Sequence, residues 1–419
     1  MRRLLSCSPP ACPPLKAGLP QTNSAAWPRR SSIRDIDMAD TAVFEQRLAA
    51  AASPGREGSL KTWWRSLDKP LLGAIGSLIL IGVVLAAAAG PVAAFRKGIA
   101  DPLHFVERQY LFLGPALLCL GFTSLLAVRQ VRAAGIVLAG MAFGMMLLTL
   151  ILGETINGAN RWLSFAGFSL QPSEFFKPGF ALMASLLLAE QARTKDFPGG
   201  MMSAALFAAG AIVLLLQPDF GQLFLLTAIW GTVFFVAGWN WLWIGGLGTV
   251  VSGILAFGYT FAPHFRSRID RFFDPSSGDT YQVDMALKTV AAGGAAGYRL
   301  NDAQSVKNAL PDAHTDFIFA VAAEEFGFLL GAIIIGLFAT IAYRCLKAAF
   351  STEDVFCRCA ILGLAAHLCF QAFINIGVTL SVLPAKGMTL PFISYGGSSL
   401  IGAALSAGFL LALTRRQPA

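Results

Sequence analysis

Ten long apolar segments run through this chain and constrain its fold more than any other feature. About 20 apolar residues are needed to cross the hydrocarbon core of a bilayer, so such segments predict membrane-spanning helices. Only 13% of the residues are charged, whereas soluble domains carry about 25%. We therefore predict an all-α integral membrane protein, a polytopic bundle of about ten transmembrane helices. The segments cover about 71–95, 109–128, 133–153, 173–192, 200–217, 219–238, 240–261, 316–344, 357–380 and 397–414.

The net charge of +8 comes from basic residues in the first 70 positions and in the short breaks between apolar segments. This distribution is typical of orientation signals and of contacts with membrane lipids, and it argues against nucleic-acid binding. Basic residues such as Arg129 and Arg132 fall on one side if the N-terminus is cytoplasmic. Because lysine and arginine favour the cytoplasmic side, both termini are predicted there. Arg96 and Lys97 then fall on the outer side.

Composition divides the chain into a leader, a membrane domain and a tail. Residues 1–68 are rich in proline, serine and arginine, which predicts a disordered basic cytoplasmic leader, with Met38 as a plausible alternative start. Residues 69–416 form the predicted membrane domain, and 417–419 form a cytoplasmic tail. Within the domain, 262–315 is predicted to be a large periplasmic loop between the seventh and eighth helices.

That loop is long enough to suggest a function, since loops of this length are otherwise uncommon. Residues 281–292 (YQVDMALKTVAA) fit a short amphipathic helix resting on the bilayer, which Gly293, Gly294 and Gly297 then end.

The first candidate site lies where the long loop enters the eighth apolar segment. Asp316 lies there, two residues after His314. Ionisable side chains at a membrane are functional candidates by default, and a partly desolvated carboxylate accepts a proton more readily. The alternative is a helix N-cap, a position that favours aspartate. His314 and Asp316 are also spaced to share a cation, although two ligands alone are weak support for one.

A second group contains Arg161, Glu174 and Lys177. Arg161 is predicted to lie in a loop, where its guanidinium suits a phosphate. Glu174 and Lys177 are three residues apart and so share one face of the next helix. These residues predict an anion site. The alternative is an internal ion pair that joins helices.

Two further segments carry polar residues between apolar ones. Pro218 and Asp219 fit a tight bend at the outer face, with structural and functional interpretations equally open. Residues 383–399 contain two prolines and three glycines, which exclude a continuous helix. Non-helical backbone at membrane depth is tolerated only where it is buried in protein or lines a cavity. This segment contains Lys386, a candidate anion contact, and Ser394.

A polar stripe marks the ninth apolar segment. Its members recur every four residues and should face other helices, where interhelical hydrogen bonds are the usual explanation. They are His367, Gln371, Asn375 and Thr379.

Taken together, these motifs resemble the SEDS family (shape, elongation, division and sporulation). The strings are NGANRW with QPSEFFK, QPDFGQ, LPDAHTDFIFAVAAEEFG and LPAKGMTLPFISYGGSS, and they occur in the family's order. The resemblance covers about 63–416. Lys386 and the string RFFDPSSGDTYQVD resemble the division members more than the elongation members. One stretch departs from the family: 293–301 reads GGAAGYRLN instead of a GGLFGKG-like sequence, which puts the local loop conformation in question.

The resemblance implies a peptidoglycan glycosyltransferase that polymerises lipid II during septal cell-wall synthesis, at the outer face of the inner membrane. It implies that Asp316 is the catalytic carboxylate, acting as a general base or as a ligand of a divalent cation (Mg²⁺ or Mn²⁺). Undecaprenyl pyrophosphate would be the leaving group, stabilised by a cation or basic side chains. Expected substrate contacts are Arg161, Lys177, Glu174, Lys386, Ser394, His314 and Asp219.

The resemblance also implies partners: a class B penicillin-binding protein, which is the septal transpeptidase, and other divisome proteins. Three alternatives remain open at this point. The chain could flip lipid II, although no clear internal repeat of the kind many transporters show is present. It could be an elongation-type polymerase, or a scaffold that only recruits a transpeptidase.

Overall fold

The structure is a computed structural model that describes residues 56–156, 159–165, 168–194, 196–238, 241–261, 263–274, 280–297, 306–384 and 387–415. The possible start at Met38, Lys386 and the predicted tail 417–419 lie outside the described residues. The predicted disordered leader is helical at its end, over Arg56–Ser66.

Thirteen helices and one 3₁₀ turn form most of the described chain. They are α1 (Arg56–Ser66), α2 (Lys69–Arg96), α3 (His104–Leu125), α4 (Val128–Leu152), α5 (Pro172–Arg193), α6 (Gly199–Leu216), α7 (Phe220–Val236), α8 (Trp241–Phe261), α9 (Pro263–Phe273), α10 (Tyr281–Ala292), the 3₁₀ turn (Val306–Ala309), α11 (Ile318–Phe350), α12 (Val355–Thr379) and α13 (Gly397–Leu413).

Each of the ten predicted apolar segments coincides with one helix, namely α2 to α8 and α11 to α13. Within the described part of the chain, 5 helices are long and apolar enough to cross a membrane: α2, α4, α6, α11 and α12. The prediction of a mostly helical membrane protein is confirmed. The total of about ten spans, and the long loop's place between the seventh and eighth, stay predictions.

The start of α2 follows from local sequence. Asp68 caps the helix by accepting a hydrogen bond from the Leu71 backbone nitrogen at 3.0 Å, and Pro70 suits the first helical turn because it lacks an N–H. The Asp68 carboxylate also accepts hydrogen bonds from Arg344 in α11, with Nε 3.1 Å from Oδ1. The same carboxylate therefore begins one helix and ties it to another.

Helix α12 lies at the centre of the bundle, packed against α5, α7, α11 and α13. The polar stripe predicted on it is buried, as expected. His367 Nδ1 lies 2.8 Å from Ser406 Oγ of α13, and Gln371 and Asn375 bond to other parts of the chain. Thr379 instead donates to the Asn375 carbonyl of its own helix. The stripe thus joins α12 to its neighbours through three of its four members.

The prediction that the chain is all-α is wrong in one place. A three-stranded antiparallel sheet lies between α4 and α5, in the order β1 (Glu154–Ile156), β2 (Ala159–Phe165) and β3 (Phe168–Leu170). Arg161 lies in β2 and not in a loop. Pairing the strands satisfies backbone N–H and C=O groups that a bare loop would leave to solvent.

The region after α8 contains two helices, α9 and α10. The second confirms the amphipathic helix predicted over 281–292. It packs against α11 with Ala286 and Thr289 buried, so the protein itself covers the face that carries these two residues. As predicted, glycines end α10, and Gly294 and Gly297 adopt left-handed φ values of 55° and 89°.

This glycine turn packs against a kink in α11. Gly327 has φ 77° and ψ 177°, which interrupts the helix. The Phe328 backbone nitrogen donates to the Gly294 carbonyl at 2.9 Å instead of to its own helix. A Cβ on Gly327 would lie 2.4 Å from the Ala295 carbonyl oxygen, so only glycine fits there.

Candidate active site

Asp316 lies in the turn that leads into α11. Helix α11 begins at Ile318 and Phe317 holds the N-cap position, so the N-cap interpretation of Asp316 is wrong. The Asp316 residue is half-buried. Its backbone carbonyl accepts a hydrogen bond from Asn375 Nδ2 at 2.8 Å, which fixes the turn to α12. The backbone of the turn that carries the carboxylate is therefore tied to a central helix.

The segment between α12 and α13, residues 380–396, lies beside Asp316. Its described residues, 380–384 and 387–396, are non-helical, as the prolines and glycines predicted, and most of 388–394 is buried. Asn375 Nδ2 also donates to the Met388 carbonyl at 2.6 Å. A Cβ on Gly387 would lie 2.7 Å from Asp316 Oδ2. The segment thus passes directly against the carboxylate, and a glycine makes that approach possible.

Ser394 fixes this segment to the Asp316 turn. Its buried hydroxyl donates to the Thr315 carbonyl at 2.5 Å and accepts from the Leu390 backbone nitrogen at 2.8 Å. The Tyr395 backbone nitrogen donates to the His314 carbonyl at 2.8 Å. In this geometry Ser394 positions the backbone on either side of the site. Substrate contact by Ser394 stays a prediction.

Glu174 and Lys177 form a fully buried ion pair inside the bundle. Lys177 Nζ lies 2.8 Å from Glu174 Oε2 and donates to Gln371 Oε1 at 2.9 Å. Gln222 Nε2 of α7 donates to Glu174 Oε1 at 2.7 Å. The pair therefore joins α5, α7 and α12, which is the stapling role left open as the alternative.

Polar contacts continue from this ion pair to the segment beside Asp316. Gln371 Nε2 donates to the Thr389 carbonyl at 3.1 Å, and Thr389 Oγ1 lies 2.5 Å from Ser399 Oγ. The motifs around Glu174, Asp219 and Thr389 are far apart in sequence, yet one chain of buried hydrogen bonds connects them. Such a network holds each member in one rotamer.

Arg161 and Asp219 form the outer end of the same network. Arg161 Nη1 lies 3.3 Å from Asp219 Oδ2, and Asp219 is buried while Arg161 is partly exposed. Asp219 also caps α7 by accepting from the Gln222 backbone nitrogen at 3.4 Å. The tight bend predicted here is confirmed. Since a carboxylate already neutralises much of its charge, Arg161 in this conformation offers a substrate only its remaining N–H groups.

The sequence did not single out Arg268 of α9, which lies near the candidate site. It is an exposed side chain, yet surrounding protein lowers its pKa, with Arg161 and Arg271 acting in the same direction. Asp316 and Asp219 raise that pKa. Arg268 therefore lies within electrostatic range of the carboxylate and of the Arg161–Asp219 pair. Its position depends on how the long loop folds back, which no local pattern reveals.

The described residues contain no group of three or more His, Cys, Asp or Glu side chains placed to hold a metal ion. His314 is buried, and its ring contacts Phe105 and Tyr395, with centroids 4.6 and 5.4 Å away. Mg²⁺ often binds one or two carboxylates together with substrate phosphates instead of a cage of protein ligands. Among the described residues, Asp316 fits as one protein ligand of such a cation.

Comparison with known proteins identifies the family. A family model described as cell cycle protein, FtsW/RodA/SpoVE, matches residues 70–418. The chain belongs to this family. It is the SEDS family that the motifs predicted. The FtsW/RodA/SpoVE match runs from the start of α2 beyond the end of α13 and so covers every motif of the candidate site.

Relatives of this family are similar over most of their length. A probable peptidoglycan glycosyltransferase FtsW of Caulobacter vibrioides is 40% identical over 86% of this chain and 92% of its own. A protein of the same name from Thioalkalivibrio sulfidiphilus is 34% identical over 83% of this chain and 90% of its own.

Solved structures of the family share the fold. A chain of a peptidoglycan synthase complex, from a study of how polymerization and crosslinking are coordinated, has a TM-score of 0.68 and 29% identity, covering 83% of this chain and 98% of that chain. The rod shape determining protein RodA of Thermus thermophilus has a TM-score of 0.61 and 28% identity, covering 85% of this chain and 99% of that one.

Proposed function

We propose that this chain is a peptidoglycan glycosyltransferase that polymerises lipid II into glycan strands for the division septum. Relatives named FtsW, at 40% and 34% identity over most of their length, support the activity and the division role. The observation that carries the proposal is a half-buried carboxylate, Asp316, which the backbone at Gly387 approaches closely, with Arg268 in electrostatic range.

In this mechanism Asp316 activates the acceptor. Its carboxylate accepts the proton of the acceptor sugar's 4-hydroxyl, and that oxygen attacks the anomeric carbon of the donor. The new glycosidic bond forms as the bond to undecaprenyl pyrophosphate breaks. Gly387 leaves one side of the carboxylate without a side chain, and Asn375 holds the turn, so the acceptor meets a fixed oxygen.

Cations would stabilise the leaving pyrophosphate as its charge develops. Asp316 raises the pKa of Arg268, which places this arginine near the carboxylate, and Arg161 is in turn close enough to Arg268 to lower the same pKa. Lys386 adjoins Gly387 in sequence and stays a predicted contact, as do Glu174 and Lys177. A divalent cation, Mg²⁺ or Mn²⁺, would supply the same positive charge, and Asp316 is the residue that would hold it.

A transpeptidase is the proposed partner. One similar chain belongs to a peptidoglycan synthase complex in which polymerization is coordinated with crosslinking. We infer that this chain likewise works with a class B penicillin-binding protein and with divisome proteins in the inner membrane. Lysine and arginine placement favours cytoplasmic termini and a periplasmic active site.

The deciding experiment gives the purified chain, with its transpeptidase, labelled lipid II and Mg²⁺ or Mn²⁺. We expect glycan strands that a muramidase digests back to disaccharide units. In parallel, the same protein is reconstituted into liposomes that carry lipid II on one side.

Translocation of lipid II without polymer would replace this function with that of a flippase. Neither polymer nor translocation, in a preparation that still binds the transpeptidase, would indicate a scaffold.

A further inference from the structure

Glu324 is a buried carboxylate in the second turn of α11, and the mechanism above gives it no role. The residue is only 1% exposed. An ionisable side chain inside a membrane-spanning helix is costly unless other groups bond to it. Glu324 Oε1 accepts a hydrogen bond from the Val306 backbone nitrogen at 2.7 Å, and Oε2 accepts one from the Lys307 backbone nitrogen at 2.9 Å. Both donors belong to the 3₁₀ turn of the long loop, 18 and 17 residues earlier in the chain.

These two hydrogen bonds have the geometry of strong ones. Hydrogen bonds from N–H groups to a charged acceptor are about 2.7–2.9 Å long and about twice as strong as neutral ones. The first N–H groups of a helical turn have no acceptor within that turn. Glu324 supplies this acceptor to Val306 and Lys307 together, one oxygen to each. The carboxylate therefore fixes the backbone of the 3₁₀ turn to α11.

The neighbouring Glu325 makes a different kind of contact with the same turn. Its carboxylate pairs with Lys307 Nζ, and both side chains are partly exposed. This ion pair joins two side chains and does not bond to the loop backbone. Partly exposed ion pairs contribute little to stability. Glu325 is therefore a matched comparison for Glu324, with the same residue type on the same helix.

The 3₁₀ turn begins the segment that ends at Asp316. The Lys307 carbonyl accepts from the backbone nitrogen of the fully buried Leu310 at 3.0 Å, and the Asp312 carbonyl accepts from the Asp316 backbone nitrogen at 3.1 Å. These successive turns leave little free chain between 306 and 316. The segment is held at its start by Glu324 and at its end by Asn375. A displacement of the start therefore reaches the Asp316 turn.

We propose that Glu324 is a positioning residue for glycosyl transfer, because its buried carboxylate holds the 3₁₀ turn against α11 and so fixes the segment that carries Asp316. This inference rests on the proposed function, in which Asp316 activates the acceptor. The role requires a carboxylate, since an N–H group faces each of its two oxygens. Glutamine keeps the size of the side chain, but its NH₂ group only donates, so it cannot accept from both Val306 and Lys307.

Steady-state polymerisation of labelled lipid II by the full chain with its transpeptidase tests the proposal. Rates are normalised to the folded fraction of each protein, measured by thermal unfolding in detergent. We expect Glu324→Gln to lower kcat about 10- to 100-fold, because a small misplacement of Asp316 slows the reaction. The KM for lipid II should stay within about twofold, since Glu324 makes no substrate contact in this account. The control Glu325→Gln should keep both constants within about twofold of the wild type.

Hydrogen–deuterium exchange of the same proteins separates this inference from the proposed function, because it needs no catalysis. Glu324→Gln should speed exchange of the backbone amides in 306–317, and Glu325→Gln should not. A wild-type protein that makes no polymer would refute the proposed function. Unchanged exchange in Glu324→Gln would refute the inference, so the two failures are distinguishable.

A change on the loop side decides the matter if Glu324→Gln does not fold. Val306→Pro removes one N–H donor without altering α11, and proline suits the first position of a helical turn. Its kcat should fall about tenfold below that of Val306→Ala, which keeps the donor. Equal kcat values for these two variants would overturn the proposal. It would also be overturned if Glu324→Gln raised only KM, or if Glu325→Gln lowered kcat as much as Glu324→Gln does.

Discussion

Replacing Gly387 by alanine tests the geometry around Asp316. The new Cβ would lie 2.7 Å from Asp316 Oδ2, and ordinary contacts begin at 3.4 Å, so the oxygen must move by about 3.4 − 2.7 = 0.7 Å. The contacted atom is the end of a flexible side chain, so the fold should tolerate the change. A misplacement of about 1 Å at a catalytic group can reduce a rate about 100-fold. We expect polymerisation to fall about 10- to 100-fold, or about 1.4–2.7 kcal/mol in the barrier.

The assay compares initial rates of polymer formation from labelled lipid II, with thermal unfolding of each variant in detergent as a check on folding. The matched control is Gly396→Ala in the same segment. Its Cβ would meet only ordinary contacts, 3.4 Å from Thr389 Cγ2 and 3.6 Å from Ser399 Cβ. A Gly387→Ala protein that polymerises within twofold of the wild type would refute the reasoning, because the displaced carboxylate would then not matter.

Three further predictions concern stability, each measured by unfolding in detergent. Lys177→Met leaves a buried carboxylate unpaired and should cost about 3–5 kcal/mol, and a loss under 1 kcal/mol would contradict the buried pair. Gly82→Ala should lower the melting temperature clearly and Gly76→Ala only slightly. A Cβ on Gly82 would lie 2.2 Å from the Phe392 carbonyl oxygen, whereas a Cβ on Gly76 would meet no atom within 4 Å. Equal effects would argue against that packing. Because burial lowers the pKa of His314 to about 4, the neutral imidazole contributes to the free energy of unfolding above pH 6.5. That contribution should fall by up to about 3 kcal/mol as the pH drops toward 4. His314→Gln should remove that part of the pH dependence, and an unchanged profile would exclude it.

The helical part of the fold could be predicted because bilayer thickness sets a length that apolar segments reveal directly. The sheet of β1, β2 and β3 could not, since β1 and β3 have three residues each, too few to show an alternating apolar pattern. The kink at Gly327 also escaped prediction. A glycine inside an apolar helix is common, and only the packing of the Gly294 turn against it makes the kink necessary.

The site was predictable where its residues are close in sequence. Spacing alone placed Glu174 and Lys177 on one face, and they do pair. Their other partners, Gln222 and Gln371, lie 48 and 194 residues away, so only the folded chain brings them together. The proximity of Arg268 to Asp316 could not be predicted for the same reason, because the two residues are 48 positions apart in sequence.

The measurement that tests the central claim most directly is Asp316→Asn, assayed for both lipid II binding and lipid II polymerisation in the complex with the transpeptidase. The amide keeps the size of the side chain but cannot accept the proton of an acceptor hydroxyl or hold a cation as a carboxylate does. We predict that lipid II still binds and that polymerisation falls at least 1000-fold, about 4 kcal/mol. A variant that polymerises at the wild-type rate would contradict the catalytic role of Asp316.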